Sequence, residues 1–239
     1  MVTLRIDGQE VKAREGSTVL EAAQEAGIYI PALCHHESVS PYGACRLCSV
    51  EVLRGGRSRV VAACLYPVEE GLEVWTNTER IIEIRRTLME LLLARCPGVK
   101  AIQELARQLG VEKTELSQEA EDCILCALCV RVCEEVVGLS ALSLVNRGTK
   151  RRVATPFFEE PGNCIGCGSC AYICPTGAIS MEDVGDTRII RRWGGEARFK
   201  LKKCKVCGYY FAPEIQLEYI RKKAGLPEDY FDVCPNCRE

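Results

Sequence analysis

Seventeen cysteines in 239 residues, most of them in Cys-x-x-Cys pairs, constrain this chain more than any other feature. Disulfide frameworks belong to small chains in oxidising compartments, whereas adjacent thiolates at this spacing converge on a metal centre. Only His35 and His36 offer imidazole, so ligation falls to sulfur, which selects zinc or iron–sulfur clusters over hard cations. All the cysteines but one sort into sets of four. Cys96 is left over and reads as a small buried hydrophobe at a helix end.

The first set is Cys34-x10-Cys45-x2-Cys48-x15-Cys64. A [2Fe–2S] cluster needs two thiolates on each iron, so a long loop folds over it while a distant strand supplies the last ligand. Pro41, Gly43 and Ala44 let backbone approach such a group closely. A Rieske centre would need Cys-x-x-His in its second half, where the sequence has Cys45-Arg46-Leu47-Cys48, so that reading is excluded. A zinc site or buried free thiols is the bland alternative.

The next two sets are Cys123-x2-Cys126-x2-Cys129-x3-Cys133 and Cys164-x2-Cys167-x2-Cys170-x3-Cys174-Pro175. This is the two-cluster bacterial ferredoxin spacing, in which the fourth cysteine of each run serves the other cluster. One [4Fe–4S] cluster is therefore expected on Cys123, Cys126, Cys129 and Cys174, the other on Cys164, Cys167, Cys170 and Cys133. Gly166 and Gly168 would leave room for the cluster and free their N–H groups for its sulfides. The last set, Cys204-x2-Cys207-Gly208 with Cys234-Pro235-Asn236-Cys237, has the two-knuckle spacing of a zinc ribbon, and a further [4Fe–4S] cluster is the alternative.

Around these sets the chain reads as α+β in four segments. Residues 1–78 carry a hairpin turning at Asp7-Gly8, a helix opened by the capping box Thr18-x-x-Glu21 and ended at Gly27, and the cysteine loop 28–48. Strands at 48–54, 58–63 and 72–76 complete a β-grasp [2Fe–2S] ferredoxin pattern. Residues 79–119 form a helical linker, with Ile81, Ile84, Leu88, Leu91 and Leu92 at helical spacing and a second helix over 101–109. Residues 120–185 hold the twin cysteine runs as an internal repeat. Residues 186–239 form a small C-terminal four-cysteine module, zinc-ribbon-like, with a helix over 215–223.

Lys and Arg (31) nearly balance Asp and Glu (33), so no global field favours nucleic acid or an anionic membrane. The runs Lys150-Arg151-Arg152 and Arg188–Arg192 read as solvated faces or docking surfaces. The apolar stretch Leu88–Ala94 is too short for a membrane span, and the first residues carry no apolar signal core, so a soluble cytoplasmic protein is expected. No Gly-x-Gly-x-x-Gly follows a strand, no Walker loop occurs, and no nucleophile–histidine pair can be assembled, so no catalytic residue is assigned.

Pro31-Ala32-Leu33-Cys34-His35 and Gly43-Ala44-Cys45-Arg46-Leu47-Cys48-Ser49-Val50-Glu51 resemble the iron–sulfur subunit of NAD-linked dehydrogenase complexes. That family includes the large iron–sulfur subunit of complex I, diaphorase subunits of NAD-reducing hydrogenases, and parts of bifurcating hydrogenases and formate dehydrogenases. The resemblance covers residues 1 to about 185. It implies an electron-transfer role beside an FMN- and NAD(H)-binding flavoprotein, a small thioredoxin-like [2Fe–2S] subunit and a separate catalytic subunit, with soluble ferredoxin as another acceptor. Members carry a one-His, three-Cys [4Fe–4S] cluster introduced by Leu-Leu-Leu-Ala-Asn-His-Pro. Here the stretch is Leu91-Leu92-Leu93-Ala94-Arg95-Cys96-Pro97, and 98–120 contains no cysteine, so that cluster is not expected and the electron path is shorter or rerouted. Large members continue into a catalytic domain; in this chain catalysis is expected on other polypeptides. The rival readings are an iron–sulfur subunit of a quinone- or heterodisulfide-linked reductase, and a zinc-rich scaffold.

Overall fold

In the computed structural model, which describes residues 1–158, 162–192 and 195–238, Asp7 and Gly8 both take positive φ (50° and 82°). Such a two-residue turn matches strand twist, and it folds β1 (Val2–Ile6) onto β2 (Gln9–Ala13). Thr18 caps α1 (Val19–Glu25): the Glu21 N–H donates to its hydroxyl at 3.3 Å, while the Thr18 N–H donates to the Glu21 carboxylate at 2.7 Å. Gly55 and Gly56 turn β3 (Ser49–Arg54) into β4 (Arg57–Ala62), and β5 (Glu73–Trp75) enters between the two hairpins. The sheet order is β2-β1-β5-β3-β4, with β5 parallel to β1 and every other pair antiparallel. Alternate residues Leu4, Ile6, Val50, Val52 and Val74 face Val19, Leu20 and Ala23 of α1 in one core.

Two helices follow, α2 (Glu79–Arg95), capped by Thr78, and α3 (Lys100–Gln108). The buried stripe of α2 is Ile81, Arg85, Met89 and Leu93, spaced by four; of the expected set Ile81 lies in it, Leu88 and Leu92 flank it half-buried against the second core, and Leu91 is exposed. The charge of Arg85 hid the stripe from a reading that followed apolar residues alone. A second core gathers Met89, Leu93, Cys96, Val99, Ile102 and Leu105 around Leu47, with Ile124 packed against it. All of this lies in a compact unit spanning Met1–Leu128.

The second unit spans Cys129–Glu239. The short α4 (Leu128–Arg131) begins on the last residue of the first unit and widens into a π-type turn over Val132–Val137 that ends at Gly138 (φ 79°). The strands β6 (Ser143–Val145) and β7 (Arg152–Ala154) pair as a ribbon, and α5 (Ser169–Tyr172) is a single turn. Then β8 (Ile179–Val184), β9 (Thr187–Arg192), β10 (Gly195–Lys203) and β11 (Tyr210–Pro213) make an antiparallel sheet in the order β11-β10-β9-β8, and α6 (Glu214–Ala224) follows β11. Beyond the turn at Gly185-Asp186, the described residues of the stretch 185–203 are therefore strand, joining the second cysteine run to the last module. The run Arg188–Arg192 is corrected accordingly. Ile189, Ile190 and Arg192 are buried, and Arg188 forms a bidentate pair with Asp183, the residue across from it on β8 (2.8 and 2.9 Å). Among the described residues no helix is long and apolar enough to cross a membrane.

Candidate metal centres

The four thiols of the first set fall into two pairs. The Cys45 N–H donates to Cys34 Sγ at 3.3 Å and the Leu33 N–H to Cys45 Sγ at 3.4 Å, while Cys48 Sγ lies 3.4 Å from Cys64 Sγ. Proton sharing sets their acidity. The Cys34 thiol hydrogen bond holds Cys45 down to about 6, and Cys64 holds Cys48 down to about 7. The partners Cys34 and Cys64 move up by the same bonds and by burial. Arg46 takes positive φ (60°) between the flanking cysteines, a reversal that aims successive N–H groups into a concavity suited to anionic sulfur. Gly43 (φ 70°) is needed for space: a Cβ there would meet Leu65 Cδ1 at 2.5 Å.

From α2, Arg85 reaches the same loop. Its Nε donates to the Leu47 carbonyl and its Nη2 to the Ser49 carbonyl, both at 3.0 Å, on either side of Cys48; Nη1 donates to Asn77 Oδ1 at 3.4 Å. Ten residues further on, Arg95 Nε donates to the Cys123 carbonyl at 2.7 Å and its Nη1 pairs with Glu119 at 3.0 Å. Both arginines were missed in the sequence. An arginine in register with Ile81 and Met89 was the available signal for Arg85; Arg95 left none. Cys96 caps α2, fully buried, its thiol pushed up to about 12 by burial, as expected of an inert core residue.

The second unit brings Cys133, Cys164, Cys167 and Cys170 around one cavity, whose walls are Leu139, Ala141, Leu142, Ile165 and Ile190, with Arg192 at its lining. The Ala141 N–H donates to Cys133 Sγ at 3.3 Å. Burial raises Cys133 and pushes Cys170 up to about 12. Gly166 and Gly168 take φ of 66° and 81°, and the corresponding positions of the first run, Leu125 and Ala127, take 56° and 62°. Both runs thus share the same backbone reversals, and in the second the thiols gathered at the cavity are the donor set an anionic iron–sulfur cluster requires. The glycines do more than free backbone. A Cβ at Gly166 would lie 2.5 Å from the Phe199 ring of β10, and one at Gly168 would lie 2.1 Å from Met181 Sδ of β8. Of the remaining set, Cys123 and Cys126 belong to the first unit and Cys129 and Cys174 to the second.

Cys204, Cys207, Cys234 and Cys237 meet with all sulfurs within 4.8 Å of one another, the one such ion-sized group of at least three His, Cys, Asp or Glu ligands among the described residues. Cys207 Sγ and Cys234 Sγ are 3.8 Å apart. The Cys234 N–H donates to Cys204 Sγ at 3.3 Å and, with the amides of Cys207 and Val206, holds Cys204 down to about 6; hydrogen bonds with Cys207 and Cys234 push Cys237 up to about 12.

Comparison with known proteins agrees with this geometry. Residues 1–79 match the 2Fe-2S iron-sulfur cluster binding domain, 114–180 the ferredoxin-like domain of NADH-quinone oxidoreductase subunit 3, and 163–209 the 4Fe-4S dicluster domain. The NADPH-Fe(3+) oxidoreductase subunit alpha of Geobacter sulfurreducens is 37% identical over 204 residues, 75% of this chain and 24% of that protein. The NADH-ubiquinone oxidoreductase 75 kDa subunit of Reclinomonas americana is 31% identical over 218 residues, 81% of this chain and 31% of that protein. The chain thus spans a quarter to a third of these curated relatives. A crystal structure of an NAD+-reducing [NiFe]-hydrogenase in the H2-reduced state superposes with a TM-score of 0.58 at 34% identity, covering 64% of this chain and 74% of that one.

Proposed function

We infer the role of this chain from the premise that it belongs to the iron–sulfur family of the complex I large iron–sulfur subunit and its counterparts in NAD-linked hydrogenases. It relays electrons within a multi-subunit NAD(H)-linked oxidoreductase of the cytoplasm. Electrons pass between an FMN-bearing flavoprotein and a catalytic subunit or soluble ferredoxin, with a small thioredoxin-like [2Fe–2S] subunit alongside. The observation that carries the reading is the convergence of Cys133 with Cys164, Cys167 and Cys170 on one apolar cavity, the crossed arrangement that the two-cluster spacing requires.

One [2Fe–2S] cluster is held by Cys34, Cys45, Cys48 and Cys64. Their two-by-two pairing supports this, since each iron of such a cluster takes two thiolates. Two [4Fe–4S] clusters occupy the twin runs. The last four cysteines hold zinc in a ribbon-like module. A tetrahedral ion with Zn–S of about 2.3 Å sets its sulfurs roughly 3.8 Å apart, and the Cys207–Cys234 separation of 3.8 Å supports that size, whereas a cubane pushes its cysteines further apart. When loaded, the clusters supply one-electron redox chemistry; the protein holds them, buries them and sets their potentials.

Anaerobic purification of the native protein with metal analysis and mass spectrometry of co-purifying chains tests this. About ten iron atoms and one zinc per chain are expected, together with a flavoprotein that oxidises NADH. About four zinc atoms with neither iron nor acid-labile sulfide would overturn the electron-carrier reading, and about fourteen iron atoms would replace the zinc by a further cluster.

A further inference from the structure

Arg85 is 4% exposed in the middle of α2. A buried guanidinium ordinarily has a carboxylate partner, because taking its charge out of water is costly. This one has none among the described residues. Its hydrogen bonds go to the Leu47 and Ser49 carbonyls and the Asn77 amide. The carboxylate that acts on it, Asp7, is engaged instead by the Thr76 N–H and hydroxyl at 2.7 and 2.5 Å. The strongest opposing charge that Arg85 feels is the Cys48 thiolate.

We propose that Arg85 is a positioning and charge-compensating residue for the [2Fe–2S] centre, its guanidinium serving as the counter-charge that raises the centre's reduction potential. The proposal rests on Cys34, Cys45, Cys48 and Cys64 being the cluster ligands. Two features carry it. The fork grips the carbonyls on both sides of Cys48, so the guanidinium fixes the backbone that presents one ligand. Its charge stays against that ligand, with no protein anion bonded to it. A cluster with four thiolates is an anion, and accepting one electron from a reduced flavin, or from dithionite in the cuvette, adds one further negative charge to it. A fixed buried cation stabilises the reduced form more than the oxidised form, and the low local dielectric amplifies the difference. No other cation does this on α2: Arg80 and Arg86 are exposed, and Arg95 is spent on Cys123 and Glu119.

The test is anaerobic redox titration of the whole chain, following the [2Fe–2S] signal by electron paramagnetic resonance, with the [4Fe–4S] signals as internal standard. In Arg85→Met the ratio of reduced to oxidised [2Fe–2S] at fixed ambient potential falls at least tenfold, about 59 mV for a one-electron couple, while the [4Fe–4S] potentials stay put. Arg85→Lys keeps the charge, losing part of the fork, and shifts the ratio less than threefold. Asn77→Asp leaves the fold intact and sets a carboxylate against Nη1; it moves the ratio in the same direction as Arg85→Met, by a smaller factor. This last variant decides the matter if Arg85→Met fails to hold its cluster. An unshifted potential in both Arg85→Met and Asn77→Asp, or in Asn77→Asp where the other is unfolded, overturns the proposal. Equal shifts in Arg85→Lys and Arg85→Met would reduce Arg85 to a packing residue and overturn it too. Absence of any [2Fe–2S] signal from the wild-type chain would instead overturn the ligand assignment.

Discussion

Replacing Gly166 by alanine tests how the cysteine nest is built. Two penalties add there: a side chain forced to φ 66°, and a Cβ placed 2.5 Å from Phe199 Cγ and 2.7 Å from Cδ2. The left-handed conformation costs about 1–2 kcal/mol and overpacking about 1–3 kcal/mol. Leu125 sits at φ 56° in the matching position of the first run, so the backbone reversal itself accepts a side chain. The clash with Phe199 is therefore the larger penalty. Gly166→Ala is expected to destabilise the loaded protein by about 2–5 kcal/mol and to speed cluster loss. Phe199→Ala alone removes a half-buried ring and costs about 1–3 kcal/mol, less than a fully buried one. The double variant regains the steric part, giving a coupling energy of about 1–2 kcal/mol. Anaerobic denaturant unfolding followed through the visible cluster absorbance, with iron and sulfide counts at each stage, reads these numbers. Strict additivity in the double variant would refute the reasoning, because the backbone and not the ring would then be the obstacle.

Cys96→Ala removes one buried sulfur from the α2–α3 core; it should cost about 1–2 kcal/mol in thermal unfolding and leave the iron count and every paramagnetic signal unchanged. Loss of a cluster signal in that variant would make Cys96 a ligand after all. At the C-terminal module, the folded chain holds Cys204 near 6, below the ordinary thiol value of 9.0, so its thiolate contribution is present above 9.0 and fades as pH falls through about 6. Metal must also displace the proton that Cys237 keeps up to about 12. Zinc release, read with a chromophoric chelator, should therefore rise as pH drops from 7 to 5 with measurable proton uptake. Release that is flat over this window would contradict thiolate ligation.

The parts of this molecule that were legible in its sequence are those where backbone geometry demands a residue type. Asp7-Gly8 and Gly55-Gly56 announce hairpins because both need positive φ, and Thr18 with Glu21 announces a helix because their side chains satisfy its first amides. The meeting of the last four cysteines was legible because paired Cys-x-x-Cys knuckles bring four sulfurs to one point. The β9 strand was hidden because its charges pair across the sheet: Arg188 lies opposite Asp183, and Arg191 reaches Glu182 at 2.6 Å, so polar residues occupy positions where a half-buried strand alternates. The two-residue turn at Gly185-Asp186 was the overlooked signal. The roles of Gly166 and Gly168 were half legible. Their positive φ follows from the cluster loop, but Phe199 and Met181 arrive from strands whose register no local pattern shows.

The helix α2 is gripped at two points, by Arg85 on the Cys48 loop and by Arg95 on the Cys123 carbonyl. From one to the other the helix runs uninterrupted for ten residue steps, about 15 Å of rise. A hydrogen-bonded rod of that length barely stretches, whereas a loop of ten residues samples many end-to-end distances. Tunnelling probability decays exponentially with the gap to be crossed, so its average over a fluctuating spacer is dominated by rare close approaches and varies with temperature. A stiff spacer removes that averaging. The interval from the Cys48 loop to Cys123 is then held constant by the helix, and on the proposed ligand assignment a transfer across it would respond to driving force rather than to chain motion.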